Sequence, residues 1–328
     1  MSIKFKQAII HNLDASMSMP ILSKECMGLT DDTESFIARK IIKVLGDPGI
    51  CEGKFKEQLS FYEQDQLYYM FKNWDDSKFK MLSEKLAELF YSYILSYGNI
   101  ASGDLIVANY LIDSKEYVAV LKVNFNQGDY THYYSQDDEV MKLIANKIIY
   151  SEKVIEAAII CTEDASIKVL DGTKSKYLQL LLDVDTELSV KDKLKVFDSI
   201  AGDVVYDHYD NPIKALGELK TNINESLAQT NSINVVEVVE KTFGECEEVT
   251  NSFKQRLEEC GLNDEQPINV SGSKLFNKYA KQKLKTDTGI EIKMPTPLFS
   301  NADFFQMVDE ADGTKTLIIK NISQVISK

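Results

Sequence analysis

The sequence predicts an α+β fold, in which a mixed, largely antiparallel sheet covered by helices is followed by a helical segment and a small β unit. Two apolar runs rich in β-branched and aromatic residues, 105–112 and 117–123, flank a polar turn at 113–116, as in paired antiparallel strands. Strand patterns then thin out over residues 189–260, where apolar residues recur at helical spacing. Further along, the turn signal Asp312-Gly313 separates two short apolar runs.

The hairpin within residues 103–125 is apolar on both sides, because neither of its runs alternates between apolar and polar residues. A strand that is apolar on both faces is covered on both faces. We therefore place this hairpin at the centre of the sheet. One face is assigned Leu105, Val107 and Leu111, and the other Ile106, Ala108, Tyr110 and Ile112.

The first part of the chain, residues 1–186, is predicted to be a sheet-rich α/β domain. The sequence Thr-Asp-Asp-Thr-Glu at 30–34 supplies an N-cap candidate and early acids for a helix that the sequence Gly-Asp-Pro-Gly at 46–49 stops. A long helix is predicted over 77–97, and residues 140–150 fit a helix or a strand equally well. The other predicted strands of this part are 3–11, 20–27, 130–134, 157–162 and 166–170.

The second part, residues 187–328, is predicted to be a helical segment with a basic helix and a β-hairpin. Its clearest helix covers residues 190–209, and residues 273–285 are interpreted as the basic helix. A strand is predicted at 289–293. The hairpin is formed by residues 304–309 and 314–319.

Composition limits the classes of function. With a net charge of −14 over 328 residues, the chain could bind nucleic acid only through a local basic surface. Only Arg39 and Arg256 among 37 basic residues are arginine, which favours phosphate contacts over bidentate reading of bases. Five scattered cysteines and three dispersed histidines predict no disulfide, metal or other cofactor. No apolar run approaches the roughly 20 residues that span a bilayer, so we expect a cytoplasmic protein without a membrane partner.

The best candidate for nucleic-acid binding is the predicted basic helix. No Asp or Glu occurs between Pro267 and Thr286. On a helix, lysines spaced by four, three and four residues share one face. Such a face either contacts a row of nucleic-acid phosphates or is simply exposed to solvent, and the two interpretations are equally open. The predicted nucleic-acid-binding residues are Lys274, Lys278, Lys281, Lys285 and, close by, Lys283.

Three other patterns have functional alternatives. Asp287, Glu291 and Lys293 match the acids-plus-lysine pattern of metal-dependent nucleases, but the motif is short and chance matches are expected in a chain rich in both residue types. The acidic segment 235–265 could bind a basic protein partner, although a solvated helical face is favoured. The aromatic-rich stretch 61–74 could stack on bases, but a core-facing stripe is favoured.

The sequence resembles the bacterial 37-kDa nucleoid-associated protein family, also called NdpA-like. The resemblance rests on the order of several stretches: IIHNL in the opening strand, GDLIVANYLIDSKEYVAVLKVN, YLQLLLDV, and the later KLFNKYA, GIEIKMP and GTKTLIIKNI. It covers most of the chain. None of these stretches is a catalytic signature.

The resemblance implies a non-enzymatic protein of the bacterial nucleoid that binds double-stranded DNA. From the lysines we expect binding mainly through phosphates, with little sequence specificity. The alternatives are a divergent metal-dependent nuclease and a protein-interaction component, for example in antiviral defence, that uses its acidic face. No catalytic residue is assigned, and a homo-oligomer is an open alternative.

Overall fold

The computed structural model of the chain describes residues 2–56, 67–124, 132–135, 140–143, 154–209, 212–262, 267–270 and 273–326. The chain splits into two compact units, Met1–Ser189 and Val190–Lys328, called unit 1 and unit 2 below. Unit 1 is built on a β-sheet, whereas unit 2 is built mainly on helices. The predicted α+β class is confirmed.

Unit 1 contains a seven-stranded sheet in the order β1-β3-β4-β7-β8-β2-β9, with antiparallel pairing throughout. A separate pair, β5–β6, is also antiparallel. The strands are β1 (Ile3–Leu13), β2 (Ile50–Phe55), β3 (Gly103–Ile112), β4 (Lys115–Asn124), β5 (His132–Ser135), β6 (Val140–Leu143), β7 (Glu156–Cys161), β8 (Ser166–Asp171) and β9 (Val184–Thr186). The helices are α1 (Asp31–Leu45), α2 (Leu67–Lys72), α3 (Phe79–Tyr97) and α4 (Leu178–Leu182).

The predicted hairpin is confirmed as β3 and β4, with a shorter turn than expected. Asp113 and Ser114 form the turn with φ angles of 47° and 71°, as in the two-residue turns that match the twist of paired strands. Lys115 and Glu116, predicted to lie in the turn, already belong to β4.

Both faces of this hairpin are buried, as the sequence predicted. Helix α3 covers one face through residues such as Leu82 and Leu86, while α1 covers the other through Ile37 and Ile41. The hairpin residues on the α3 side are Leu105, Val107, Val118 and Val120, and those on the α1 side are Ile106, Ala108, Tyr110, Ala119, Leu121 and Val123. The assignment of side chains to faces is therefore confirmed for the buried part of the hairpin.

The strand predicted at residues 20–27 is wrong. This segment has a single bridge between Asn12 and Ile21 and otherwise no regular structure. Side-chain hydrogen bonds replace a ladder here, because the Ser23 hydroxyl donates to the Ile10 carbonyl at 2.6 Å and the Ser23 N–H donates to His11 Nδ1 at 3.1 Å.

The predicted aromatic stretch is described from residue 67 onward, and residues 61–66 lie outside the described part. Phe71 is buried and stacks on Trp74 with ring centroids 6.2 Å apart. The Trp74 indole N–H donates to Glu116 at 3.0 Å. The described part of the stretch thus faces the core, as favoured.

A row of charged side chains crosses the buried sheet of unit 1. Lys122 on β4 lies opposite Glu156 on β7, which lies opposite Asp171 on β8. The Lys122 ammonium donates to both carboxylate oxygens of Glu156, at 3.0 and 3.2 Å, and to Asn124 Oδ1 at 2.6 Å. The Tyr177 hydroxyl donates to the same carboxylate. Burial lowers the pKa of Lys122, while the Glu156 charge opposes that shift.

His11 is buried in unit 1 as a neutral side chain. Its Nδ1 accepts the Ser23 N–H, so its proton is on Nε2, which donates to Ser83 Oγ at 3.0 Å. The Ser83 hydroxyl in turn donates to the Lys80 carbonyl at 2.7 Å. Burial lowers the pKa of His11 to about 4, and the positive charge of Lys80 adds to this effect.

Unit 2 consists of helices with three two-stranded sheets, β10–β11, β12–β13 and β14–β15. Its helices are α5 (Val190–His208), α6 (Pro212–Thr230), α7 (Val235–Phe243), α8 (Glu247–Glu259), α9 (Ser273–Tyr279) and α10 (Thr296–Phe299). Its strands are β10 (Ser232–Ile233), β11 (Ile268–Asn269), β12 (Lys281–Lys285), β13 (Glu291–Pro295), β14 (Phe305–Asp309) and β15 (Lys315–Ile319). The predicted helix at 190–209 and the predicted hairpin at 304–319 are both present. Among the described residues, no helix has the length and apolarity needed to cross a membrane.

We expect the free energy of unfolding of unit 1 to fall as the pH drops from 6.5 to about 4, since His11 is neutral in the folded state and protonated in the unfolded state over that range. The loss should reach about 3 kcal/mol, and His11→Gln should remove most of this pH dependence. Chemical denaturation followed by emission of Trp74, the single tryptophan, reports on unit 1. Substitution of the exposed His208 by Gln serves as the control. Parallel stability curves for wild type and His11→Gln would contradict this expectation.

Candidate nucleic-acid interface

The basic helix predicted over residues 273–285 is correct in its first half and wrong in its second half. The helix ends at Tyr279, and residues 281–285 form strand β12. In a longer helix, the carbonyls of Tyr279 and Ala280 would accept from backbone N–H groups four residues on. Instead, Thr296 binds both: its hydroxyl donates to the Tyr279 carbonyl at 2.5 Å, and its N–H donates to the Ala280 carbonyl at 3.0 Å. The lysines of residues 281–285 therefore share a strand face and not a helix face.

Strands β12 and β13 form an antiparallel ribbon with two different faces. Lys283 lies opposite Lys293, Lys285 opposite Glu291, and Lys281 opposite Pro295, and all six side chains are exposed. Since successive residues of a strand point to opposite faces, these six side chains share one face. The other face is buried or half-buried and consists of Gln282, Leu284, Ile292 and Met294.

The exposed face of the ribbon, called the lysine face below, is strongly positive. It carries Lys281, Lys283, Lys285 and Lys293 against the single carboxylate of Glu291. Lys283 pairs with Glu291 at 3.2 Å, but both side chains are about half exposed, so the pair is weak. The other three lysines have no ion pair with any residue of the described chain.

The other two predicted lysines lie outside the ribbon, on α9. The Lys278 ammonium pairs with the Asp198 carboxylate of α5 and lies 5.2 Å from the centre of the Tyr279 ring. Lys274 is part of the same helix, and its side chain is outside the described part. The structure thus places Lys281, Lys283 and Lys285 on one face of the ribbon, whereas Lys278 lies on α9 and is paired with Asp198.

Buried polar contacts hold the ribbon on α6. The Gln282 side chain accepts from the Lys220 ammonium at 3.3 Å and donates to the Gly217 carbonyl at 3.5 Å. Burial lowers the pKa of Lys220, while the negative charge of Asp198 opposes this shift. These contacts fix which face of β12 is turned towards the solvent.

An aromatic side chain holds the far end of β13 against the same helix. Phe299 of α10 lies so close to Gly217 that an added Cβ would be 2.0 Å from its ring, and the ring also stacks on Phe305 at 5.1 Å. The Thr221 and Ser300 hydroxyls are hydrogen-bonded at 2.6 Å. Glycine at position 217 is therefore required by the close approach of the Phe299 ring to the backbone of α6.

The residues of the nuclease-like pattern have other partners in the structure. Glu291 and Lys293 share the lysine face, but the partner of Glu291 is Lys283, and Asp287 lies in the exposed turn between the strands, where it accepts the Thr288 N–H at 2.9 Å. The part of the chain described by the structure contains no group of three His, Cys, Asp or Glu side chains that could hold a metal ion.

The acidic segment forms the outer side of α7 and α8. Its three basic residues are all paired: Lys241 with Glu225, Lys254 with Glu240 at 3.1 Å, and Arg256 with Asp207 at 2.8 Å. The exposed carboxylates of the two helices and their connection are Glu237, Glu240, Glu245, Glu247, Glu248, Glu258 and Glu259. This is a solvated helical face, as favoured from the sequence; Asp264 and Glu265 are outside the described part.

Lys293 is a member of the lysine face that the nucleic-acid prediction missed. The sequence contained a signal for it, since Glu-Ile-Lys-Met-Pro alternates between polar and apolar residues like Lys-Gln-Lys-Leu-Lys. Gly289, with a φ of 88°, marks the turn between the two runs.

Fold and site together define an α+β protein with a lysine-faced β-ribbon in its second unit. A family model described as "Nucleoid-associated protein YejK" matches residues 9–326. The chain belongs to this nucleoid-associated family, and the resemblance noted in the sequence is confirmed. No curated protein matches the chain at a significant level.

We expect Gly217→Ala to destabilise unit 2 by about 1–3 kcal/mol, because the new methyl group cannot fit beside Phe299. Gly202→Ala on α5 is the matched control, since nothing lies within 4 Å of its added Cβ and alanine favours a helix. Thermal unfolding followed by circular dichroism measures the change. Trp74 emission should show an unchanged transition for unit 1 in both variants. Equal stability of the two variants would contradict the close approach.

Proposed function

We propose that this protein is a non-enzymatic, nucleoid-associated protein of the bacterial cytoplasm that binds double-stranded DNA. We further propose that its two units are separate domains and that unit 2 binds the DNA. The observation that carries the proposal is the lysine face of the β12–β13 ribbon, with four lysines, one glutamate and a buried or half-buried opposite side.

The spacing of the lysines suits a phosphate backbone. Alternate residues of a strand are about 7 Å apart, and each strand of B-DNA presents a phosphate about every 3.4 Å along the axis. Lys281, Lys283 and Lys285 are therefore spaced widely enough for each to contact a different phosphate of one DNA strand. A two-stranded ribbon also fits the major groove, which is about 12 Å wide.

Lysine is suited to phosphates more than to bases. Its ammonium is a point charge, whereas bidentate reading of guanine depends mostly on arginine. The lysine face contains no arginine. We therefore propose binding through phosphates with little sequence specificity.

The lysines of α9 have a secondary place in this proposal. Lys278 would have to leave the Asp198 carboxylate before it could contact DNA, so we expect it to contribute less than the ribbon lysines. Lys274 is kept as a flanking contact of the same helix.

The net charge of −14 does not oppose local binding. At 0.1 M salt, charges more than about 10 Å apart are largely screened from one another. An acidic protein can therefore bind DNA through one positive face, provided that this face is itself poor in acids.

Substitution of Lys281, Lys283, Lys285 and Lys293 by Gln should weaken binding to every duplex tested and flatten the salt dependence. Each lost phosphate contact should lower the slope of log affinity against log salt by roughly 0.9. Fluorescence anisotropy with labelled duplexes of unrelated sequence, over a range of salt, measures both effects.

A charge-matched control uses four lysines elsewhere in unit 2: Lys191, Lys195, Lys241 and Lys254. Substituting these by Gln changes the net charge equally but should leave the affinity and the salt slope near those of wild type. Equal losses of DNA affinity in the two quadruple variants would indicate a general effect of net charge and would contradict a specific role of the ribbon. No loss in the ribbon variant would remove the ribbon as the DNA site.

We expect plasmid DNA to stay intact when it is incubated with the protein and Mg²⁺ or Mn²⁺, since Glu291 is engaged by Lys283. Gel electrophoresis of supercoiled plasmid detects single nicks. Nicking that disappears in Glu291→Ala would refute the non-enzymatic proposal and favour a metal-dependent nuclease.

A further inference from the structure

The last hairpin of unit 2 has an open edge. Strands β14 and β15 pair only with each other among the described residues. The Glu310 N–H donates to the Thr314 carbonyl and the Lys320 N–H donates to the Phe304 carbonyl, so the even-numbered residues of β15 bond to β14. The backbone groups of Lys315, Leu317 and Ile319 consequently point away from the hairpin, where they can pair with another strand.

The same hairpin and the residues after it expose an unusual amount of apolar surface. Ile322, Val325 and Ile326 are 55%, 84% and 69% exposed, and they follow directly after β15. Val308, Ile318 and Ile319 in the hairpin are also classed as exposed. Single exposed apolar residues are ordinary, but six within about twenty residues mark an interaction surface.

Charges at the two ends of β15 identify the partner. The turn that precedes β15 carries Glu310 and Asp312, and the residue that follows it is Lys320. None of the three has an ion pair within the described chain. Two copies of β15 placed antiparallel would bring the acidic turn of each copy beside Lys320 of the other. The edge is therefore complementary in charge to itself across a two-fold axis.

We propose that this edge pairs with the same edge of a second copy of the chain, forming a symmetric dimer through β15 and the apolar residues that follow it. A two-stranded hairpin alone is marginally stable, and the pairing converts it into a four-stranded sheet. The paired strands also cover an edge that would otherwise promote aggregation. The ribbon lysines are not part of this surface, so the proposal does not depend on DNA binding.

Sedimentation equilibrium of the full chain over a range of concentrations tests the proposal, and wild type should be a dimer. Leu317→Pro removes an outward-facing N–H that β14 does not use, and should give a monomer with the β14–β15 pairing kept. Lys320→Glu should also give a monomer, because it places like charges together across the axis. Adding Glu310→Lys to Lys320→Glu should restore the dimer.

Lys283→Glu on the lysine face is the matched control and should leave the dimer intact. Circular dichroism checks that each variant is folded; if Leu317→Pro is not, the two charge variants decide the outcome. A wild-type chain that is monomeric at every concentration would overturn the proposal. So would a dimer that persists in Lys320→Glu, or capture of a different partner by a monomeric chain.

Discussion

The alternation of side chains along a strand is the constraint on which both units depend. In β3 and β4 both sets of alternate residues are apolar, so unit 1 needs one helix on each face of its sheet and has two cores. In β12 and β13 only one set is apolar apart from Gln282, so unit 2 covers one face and leaves the other to water. The same rule thus produces a buried scaffold in one unit and an exposed charged surface in the other.

A two-stranded ribbon would not by itself hold its lysines in a fixed arrangement. Gln282 and Thr296 supply the missing order, since both are buried and both are hydrogen-bonded to elements outside the ribbon. Exposed lysines lose conformational freedom whenever they bind a phosphate. Fixing their backbone in advance lowers that cost, which is why the contacts on the buried side matter to the exposed one.

The sequence was most informative where local and tertiary preferences agree. The β3–β4 hairpin was predictable down to its faces, because β-branched residues and the turn favour the same structure. The stretch after Tyr279 was not, since Lys, Gln and Leu favour helices and the spacing of Lys281 and Lys285 fits a helix as well as a strand. The hydrogen bonds from Thr296 to the carbonyls of residues 279 and 280 favour the strand over the helix. A local sequence pattern cannot indicate these contacts, because Thr296 is distant from both residues in the sequence. The ion pair of Lys122 was hidden for the same reason, because its partner Glu156 is distant in the sequence.

The pairing of Lys122 with Glu156 has a consequence for how the sheet of unit 1 can change during evolution. Both side chains are almost completely inaccessible to water, so either one without the other would leave an uncompensated charge in the interior. Replacement of both by apolar residues of similar volume avoids that cost and can even be neutral. The two positions are therefore free to vary only together. A homologue that lacks the lysine should also lack the glutamate, and Tyr177, whose hydroxyl donates to that glutamate, should then be replaced by a residue such as Phe.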